Sequence, residues 1–381
     1  MGAYLRTVLL GLLTIASFGC ANLSPAPTPV PACTFTSSTE FAYVLNDGDN
    51  TVSMYTVDSC TGDLAALAPS AIATGANAFG SEEMVVDSSR RFAYVANLGS
   101  NASDEATISM YTINSRTGDL TPTTPATVPT GFYPQGIAID PSGKFVYTAN
   151  SDDNTVSMFT VNSGTGVLTP TTPPTVATGW SPLSVTVDPT GRFAYAANQD
   201  DGTISMFTIN SSTGVLTPTS PATVPAGGSP FGVTVDPSGK FAYVPNAYDP
   251  NNFVSQYTIN SITGVLTPTT PSVVAAGNSP ASVAVDPSGK FAYVVNRQDN
   301  TVSMYTVDPN SGNLRPNGII ATGIQPFRAA VDPAGKFLYV GNQNGGTISI
   351  YRISSAGTLS PASTAATGSD PVSLAITKAI Q

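Results

Sequence analysis

Residues 145–192 read FVYTAN, SDDNTVSMFTVNSGTGVLTPTTPPTVATGW and SPLSVTVDPTGR, and Phe193 then opens the same phrase again as FAYAAN. The hexamer recurs at Phe41, Phe92, Phe145, Phe193, Phe241, Phe291 and Phe337, at spacings of 51, 53, 48, 48, 50 and 46 residues. A period near fifty holding four strand-like runs is the length of a propeller blade and too long for a solenoid coil. Seven units therefore predict an all-β fold, a single seven-bladed β-propeller of four-stranded blades. Residues present in every copy are architectural, because one active site cannot sit in seven places. Residues that break the repeat in one copy are the candidates for function.

Each unit offers four strands, a to d from the ring axis outward, for example Ser184 to Asp188, Phe193 to Asn198, Thr203 to Ile209 and Leu216 to Pro225. Strands a and b are apolar at nearly every position, as expected when neighbouring blades cover both faces. Strand d carries prolines such as Pro170 and Pro173. They suit an outer edge, where no ladder bond is lost and pairing with other chains is blocked. The Asp-Pro-Ser-Gly-Lys runs at 236–240 and 286–290 are turn chemistry. Asn46, Asn97, Asn150, Asn198, Asn246, Asn296 and Asn342 end strand b in every unit, which predicts a loop-capping role. The chain ends in PVSLAIT, Pro371 to Thr377, a strand a with no b after it, whereas the hexamer at Phe41 lacks a clear strand a before it. The last strand is expected to complete the first blade and close the ring; the alternative places Ala32 to Thr36 in that slot.

Ahead of the repeats, residues 1–19 carry Arg6 and an apolar run from Val8 to Phe18 that fits a signal-peptide core and is too short to span a bilayer. Gly19-Cys20 resembles a bacterial lipoprotein cleavage site, so Cys20 is the expected lipidation point. Residues 20–40, with Pro25, Pro27, Pro29 and Pro31, read as an extended tether, and residues 41–381 as the propeller. Cys33 and Cys60 then remain, and a disulfide between them is expected in an oxidising compartment, two separate thiols being the alternative. The chain is expected to be exported to the cell envelope, as an outer-membrane, periplasmic or surface lipoprotein touching the membrane through its lipid anchor only. The formal net charge of −10, with 24 acidic residues against 14 basic, argues against nucleic acid as a partner. A monomer is expected.

The hexamers FAYVAN, FVYTAN and FAYVVN, the NTVSMYTV strand and the TGxL turns at Thr165–Leu168 and Thr213–Leu216 resemble the seven-bladed lactonase family and the related YVTN-type propellers. The resemblance spans roughly residues 41–377 and rests on architectural motifs. It implies that ligands meet the ring face made by the loops leading into strand a and the loops between b and c. Cytosolic 6-phosphogluconolactonase members place a His after the Pro that starts strand a. Here those positions are Glu82, Gln135, Leu183, Phe231, Ala281, Phe327 and Val372, and the chain contains no His at all. Histidine-based nucleophilic catalysis and histidine zinc sites are thereby excluded.

Two columns on that face break the symmetry. Before strand a stand Phe79, Phe132, Trp180, Gly228, Asn278, Ile324 and Ser369, so three neighbouring blades present aromatics, with Tyr133 beside them. They read as a stacking surface for a sugar, peptide or aromatic ligand, or else as packing between blades. Two residues into strand a stand Glu83, Gly136, Ser184, Gly232, Ser282, Arg328 and Ser373, five small and two charged. Glu83 and Arg328 flank the spliced blade and can approach across Ser373. They read either as an ion pair plugging the channel mouth or as a general base with an oxyanion or carboxylate clamp. Glu82 points to the opposite strand face from Glu83, which argues against a shared-proton dyad. The ligand set so read is Phe79, Glu82, Phe132, Tyr133, Gln135, Trp180, Phe231 and Phe327, with Glu83 and Arg328 as the catalytic candidates.

Aspartates gather in the b–c loops, at 47, 49, 152, 153, 200, 201, 249 and 299 with Asp104 and Glu105, while Arg91, Lys144, Arg192, Lys240, Lys290 and Lys336 mark the opposite rim. No cofactor is expected; calcium is the one candidate for the acidic rim, although no EF-hand spacing is present. The leading expectation is a propeller that binds a small ligand or protein partner on its acidic, aromatic face. The alternatives are a lactonase acting on a sugar or aliphatic lactone through a carboxylate base, and an envelope scaffold.

Overall fold

A computed structural model describes residues 40–75, 81–99, 106–247 and 252–377, without the side chains of Ser81 and Glu82. Twenty-eight strands form seven antiparallel sheets of four, each running a-b-c-d from the axis outward. In the first blade Pro371–Ile376 pairs with Glu40–Asn46, followed by Thr51–Val57 and Leu64–Ala73. The C-terminal strand thus completes the blade that the N-terminal hexamer begins. Thr377 Oγ1 accepts from the Phe41 N–H at 3.0 Å, and the Thr377 N–H donates to the Phe41 carbonyl at 2.9 Å.

The invariant residues are the joints of this ring. The hexamer tyrosine donates its hydroxyl to the carbonyl of the glycine two residues before the Leu that opens strand d in the next blade: Tyr43 to Gly118, Tyr94 to Gly166, Tyr147 to Gly214, Tyr195 to Gly264, Tyr243 to Gly312 and Tyr293 to Gly357. Tyr339 closes the circle on Gly62 at 2.9 Å. Burial pushes these phenols up, so they stay protonated donors at any ordinary pH. The hexamer Phe lies on the same glycine: at Gly118 a Cβ would sit inside the Phe41 ring, and φ is +79° there. Both facts require Gly.

Within a blade, the Asn that ends strand b reaches the start of strand c. Asn150 Nδ2 donates to Thr155 Oγ1 at 3.0 Å and Ser157 Oγ at 2.8 Å, and Asn46, Asn97, Asn198, Asn296 and Asn342 repeat the pattern. The Thr-x-Ser opening strand c is therefore the partner of the invariant Asn. At the opposite end, Asp140 of the Asp-Pro-Ser-Gly turn accepts from the Lys144 and Phe145 N–H groups, both at 2.7 Å. Blade five departs most. Its strand a is only Thr234–Val235 plus a bridge at Pro230, after the Gly227-Gly228 pair.

Candidate active site

The third residue of strand a stands at one height around the axis. Glu83, Gly136, Ser184, Ser282, Arg328 and Ser373 pair with the corresponding strand b residues Ala96, Ala149, Ala197, Val295, Gly341 and Leu45. The inner edge of strand a has no further strand to pair with, so its N–H groups need other acceptors. Side chains of this column supply them across blade boundaries. Ser373 Oγ accepts from the Met84 N–H at 3.2 Å, Ser282 Oγ from the Ala329 N–H at 3.4 Å, and Glu83 Oε2 from the Ile137 N–H at 3.1 Å.

Glu83 also meets Arg328. The Arg328 Nη2 lies 3.3 Å from Glu83 Oε1, with both side chains about one-fifth exposed. Burial raises the Glu83 carboxyl above its ordinary value, and the Arg328 charge and the Ile137 N–H only partly offset it. Arg328 Nε is buried without a hydrogen-bond partner. The pair borders a cavity of about 410 Å³ in the ring channel, which continues past Ser184, Thr186 and Thr234 to Val86, Ile139, Val187 and Val235. A carboxylate of raised basicity, a guanidinium and room for a small molecule therefore stand together.

The predicted ligand residues fall into two groups. Phe132, Tyr133 and Trp180 are exposed by 46%, 39% and 67%, on the loops leading into the third and fourth blades, and are not packed between blades. Their loops are held from the acidic rim: Asp153 Oδ2 accepts from the Phe132 N–H at 2.7 Å and Asp201 Oδ2 from the Trp180 N–H at 2.6 Å. Asp299 and Asp49 do the same for Asn278 and Ser369. These carboxylates cap connector backbone, and among the described residues no three acidic or cysteine side chains converge as a metal cage.

Phe231 and Phe327 do not present open rings to the face. They meet edge to face at 5.4 Å, and Phe327, 7% exposed, sits in a core cluster with Met84 and Val372 against which Phe231 packs. Two apolar rings on blades flanking the sixth bury more area against each other and Val372 than against water. Gln135 is half-buried. Phe79, Cys20 and Cys33 lie outside the described residues, as does the Glu82 side chain. Cys60 is disulfide-bonded, with its partner outside them too.

Arg297 was missed. It follows Asn296 in a b–c loop, its guanidinium lies 5.3 Å from the Phe327 ring centroid, and its Nη2 donates to Gln343 Oε1 at 2.7 Å. The Arg328 guanidinium lies 6.0 Å from the same centroid. The residues after the seven Asn are Asp47, Leu98, Ser151, Gln199, Ala247, Arg297 and Gln343, so the single cation of this column is itself a break of the repeat's symmetry.

The family described as Lactonase, 7-bladed beta-propeller matches residues 32–179, 174–230 and 222–376. The chain belongs to this family. Among solved structures it is similar to a candidate 6-phosphogluconolactonase of Bacteroides uniformis, at 21% identity and a TM-score of 0.75 over 89% of this chain and 99% of that one. It is also similar to the periplasmic gluconolactonase of Pseudomonas aeruginosa, at 19% identity and a TM-score of 0.75 over 90% and 100%. A protein of Lactobacillus plantarum follows at 21% identity and a TM-score of 0.72 over 90% and 100%. At these identities the likeness is one of fold. No curated protein sequence matches.

Proposed function

We propose that the chain is a lactonase, a carboxylic ester hydrolase that opens a small lactone at Glu83 and Arg328. The observation that carries this reading is the meeting, at 3.3 Å and beside the channel cavity, of the two charged residues that interrupt an otherwise small column. Glu83 takes a proton from a water as that water attacks the lactone carbonyl carbon. The oxyanion that forms is held by the Arg328 guanidinium. Collapse of the tetrahedral adduct breaks the ring C–O bond, and the leaving alkoxide takes the proton back from Glu83, giving a hydroxy acid. Family membership and the gluconolactonase neighbours favour lactones over other esters. The apolar leader and the Pro-rich segment accord with an exported, Cys20-lipidated enzyme, and the Pseudomonas neighbour is described as periplasmic.

The test is hydrolysis of a panel of sugar and aliphatic lactones by the chain from Ala21 onward, with and without chelator. Glu83→Gln is expected to lower kcat by at least about 100-fold, the usual weight of a general base. Arg328→Ala is expected to cost about 100- to 1000-fold. Turnover that ignores both substitutions would remove the pair from the chemistry. Turnover abolished by chelator alone would point to metal-bound water.

The exposure of Trp180 favours a second reading, a binding surface on the loop face. Trp180 is the chain's single tryptophan, so its emission reports directly on stacking. A ligand bound at this face shifts or quenches that emission, and binding that leaves it unchanged and survives Phe132→Ala with Trp180→Ala would dismiss the surface.

A further inference from the structure

The column that holds Glu83 and Arg328 contains two glycines, Gly136 and Gly232, and they flank Ser184. The other two serines of the column are committed. Ser373 Oγ accepts from the Met84 N–H and Ser282 Oγ from the Ala329 N–H, each bond joining one blade to the next. By the same pattern Ser184 Oγ would take the Val233 N–H, but strand a of the fifth blade begins only at Thr234. Among the described residues Ser184 Oγ therefore has no hydrogen-bond partner, although Ser184 is only 5% exposed and lines the cavity that Glu83 and Arg328 border. At Gly136 a Cβ would lie 2.7 Å from Ser184 Cα, so glycine lets strand a of the fourth blade lie this close to the third. At Gly232 a Cβ would lie 3.6 Å from Ser184 Oγ, so glycine there leaves the hydroxyl uncovered. Two residues on, Thr186 lines the same cavity from the same strand face. Its level, paired with the hexamer tyrosines, holds Val85, Ala138, Ala284, Ala330 and Ala375 on five other blades. The remaining member, Thr234, donates its hydroxyl to the Val283 carbonyl at 2.8 Å. Strand a of the fourth blade thus presents two hydroxyls to the cavity that no described protein group takes up.

We propose that Ser184 and Thr186 are the specificity-determining residues of the Glu83–Arg328 site, where they hold hydroxyl groups of the substrate. Their part in a reaction rests on the lactonase reading; the hydroxyl contact does not. A side-chain hydroxyl both donates and accepts, so the two fit substrate hydroxyls in either role. In the open cavity water meets them. A plain alkyl lactone displaces that water and gives nothing back, which leaves buried polar groups unpaired. A lactone of the same ring that carries hydroxyls restores the bonds, and a site built this way discriminates strongly against the analogue without them. Glu83 and Arg328 serve the carbonyl that any lactone has, and the fourth blade decides which ring is held in front of them.

The chain from Ala21 onward is assayed on δ-gluconolactone and on δ-valerolactone, the same ring without hydroxyls, and the readout is the ratio of the two kcat/KM values. Ser184→Ala and Thr186→Val should each lower that ratio at least about fivefold, the weight of one hydrogen bond. Thr186→Ser keeps the hydroxyl and should hold the ratio within about twofold of the original. Gly232→Val, whose side chain would cover the Ser184 hydroxyl, should lower it as Ser184→Ala does. A merely structural role would slow both lactones alike, so a ratio unmoved by Ser184→Ala and by Thr186→Val overturns the assignment while the hydrolase reading stands. Calorimetry with gluconolactam and δ-valerolactam, which resist opening, reads the same wall without turnover. The hydroxylated lactam should bind the unmodified chain at least about tenfold tighter, and Ser184→Ala combined with Thr186→Val should remove the difference. Equal binding of the two lactams overturns the assignment. A chain that shows the difference yet opens neither lactone rejects the hydrolase reading and keeps Ser184 and Thr186 as the hydroxyl contacts of a binding site. A chain that binds neither lactam and opens neither lactone rejects both.

Discussion

At the scale of single residues, Glu83 carries two opposed demands. Its inner-edge partner Ile137 and the Arg328 guanidinium favour the carboxylate, while burial in the channel disfavours it more strongly. As a base it works only when ionised, so kcat/KM should fall as pH drops through its raised pKa. A pH–rate profile is therefore expected to show an acid limb lying above about pH 4.3, the ordinary Glu value. The same shift has a stability consequence of fixed sign. A carboxyl whose folded pKa is raised supports the fold below its unfolded value, and that support is lost as pH rises through the folded one. Relative to the unsubstituted chain, Glu83→Gln should therefore gain stability between pH 4 and pH 7. Urea unfolding at the two pH values checks this, and a difference that moves the other way would mean that Arg328, not burial, dominates the environment of Glu83.

At the scale of the blade, the repeat holds because each invariant side chain satisfies a backbone or side-chain group that would otherwise be orphaned. Asn150→Ala removes two bonds, a partly buried one to Thr155 and a buried one to Ser157, and should cost about 2 kcal/mol by chemical denaturation, near 1 kcal/mol for each. Blade five shows that a different residue can make the same bond. Strand c of blades two, three, four and six carries a Met whose sulfur accepts from the next blade's Leu N–H, as Met158 does from Leu216 at 3.1 Å, whereas blade seven has Ile350 there. In blade five Gln256 Oε1 accepts from the Leu314 N–H at 2.6 Å. Gln256→Met should stay within about 1 kcal/mol of the original, because the sulfur restores an acceptor and the volume is kept. Gln256→Leu should cost about 1–3 kcal/mol, since the Leu314 N–H is left buried and unpaired. Equal effects of the two substitutions would show that packing, not acceptance, sets this position.

At the scale of the whole molecule, stability depends on closing the circle. Tyr339 reaches Gly62 from the seventh blade to the first, and Pro371–Ile376 supplies the innermost strand of the first sheet. Without that strand, the inner edge of Glu40–Asn46, fully buried here, would face the channel as an unpaired edge. A chain ending at Asp370 is expected to melt at least about 5 °C lower in a broadened transition and to self-associate on gel filtration. A truncated chain that melts sharply, at the original temperature and as a monomer, would show that the ring does not need its splice.

The sequence by itself determined the ring: seven hexamers, a C-terminal strand without its partner, turn residues at each bend and proline on the outer strand. These signals are legible because they recur, and a repeat is evidence about local geometry seven times over. The same repeat singled out Glu83 and Arg328 as the charged members of a small column. What only the tertiary structure decided is how residues of different blades meet. Phe132 and Trp180 stand open to water while Phe327, equally aromatic, is buried against Met84 and Val372, because the first two sit on the connectors and the last points toward its neighbours across the axis. The Arg297 contact with Phe327, the Ile137 N–H on Glu83 and the run of the cavity toward the Asp-Pro turns have the same origin. Ring closure brings together residues far apart in the chain, and no local period records which of them will touch.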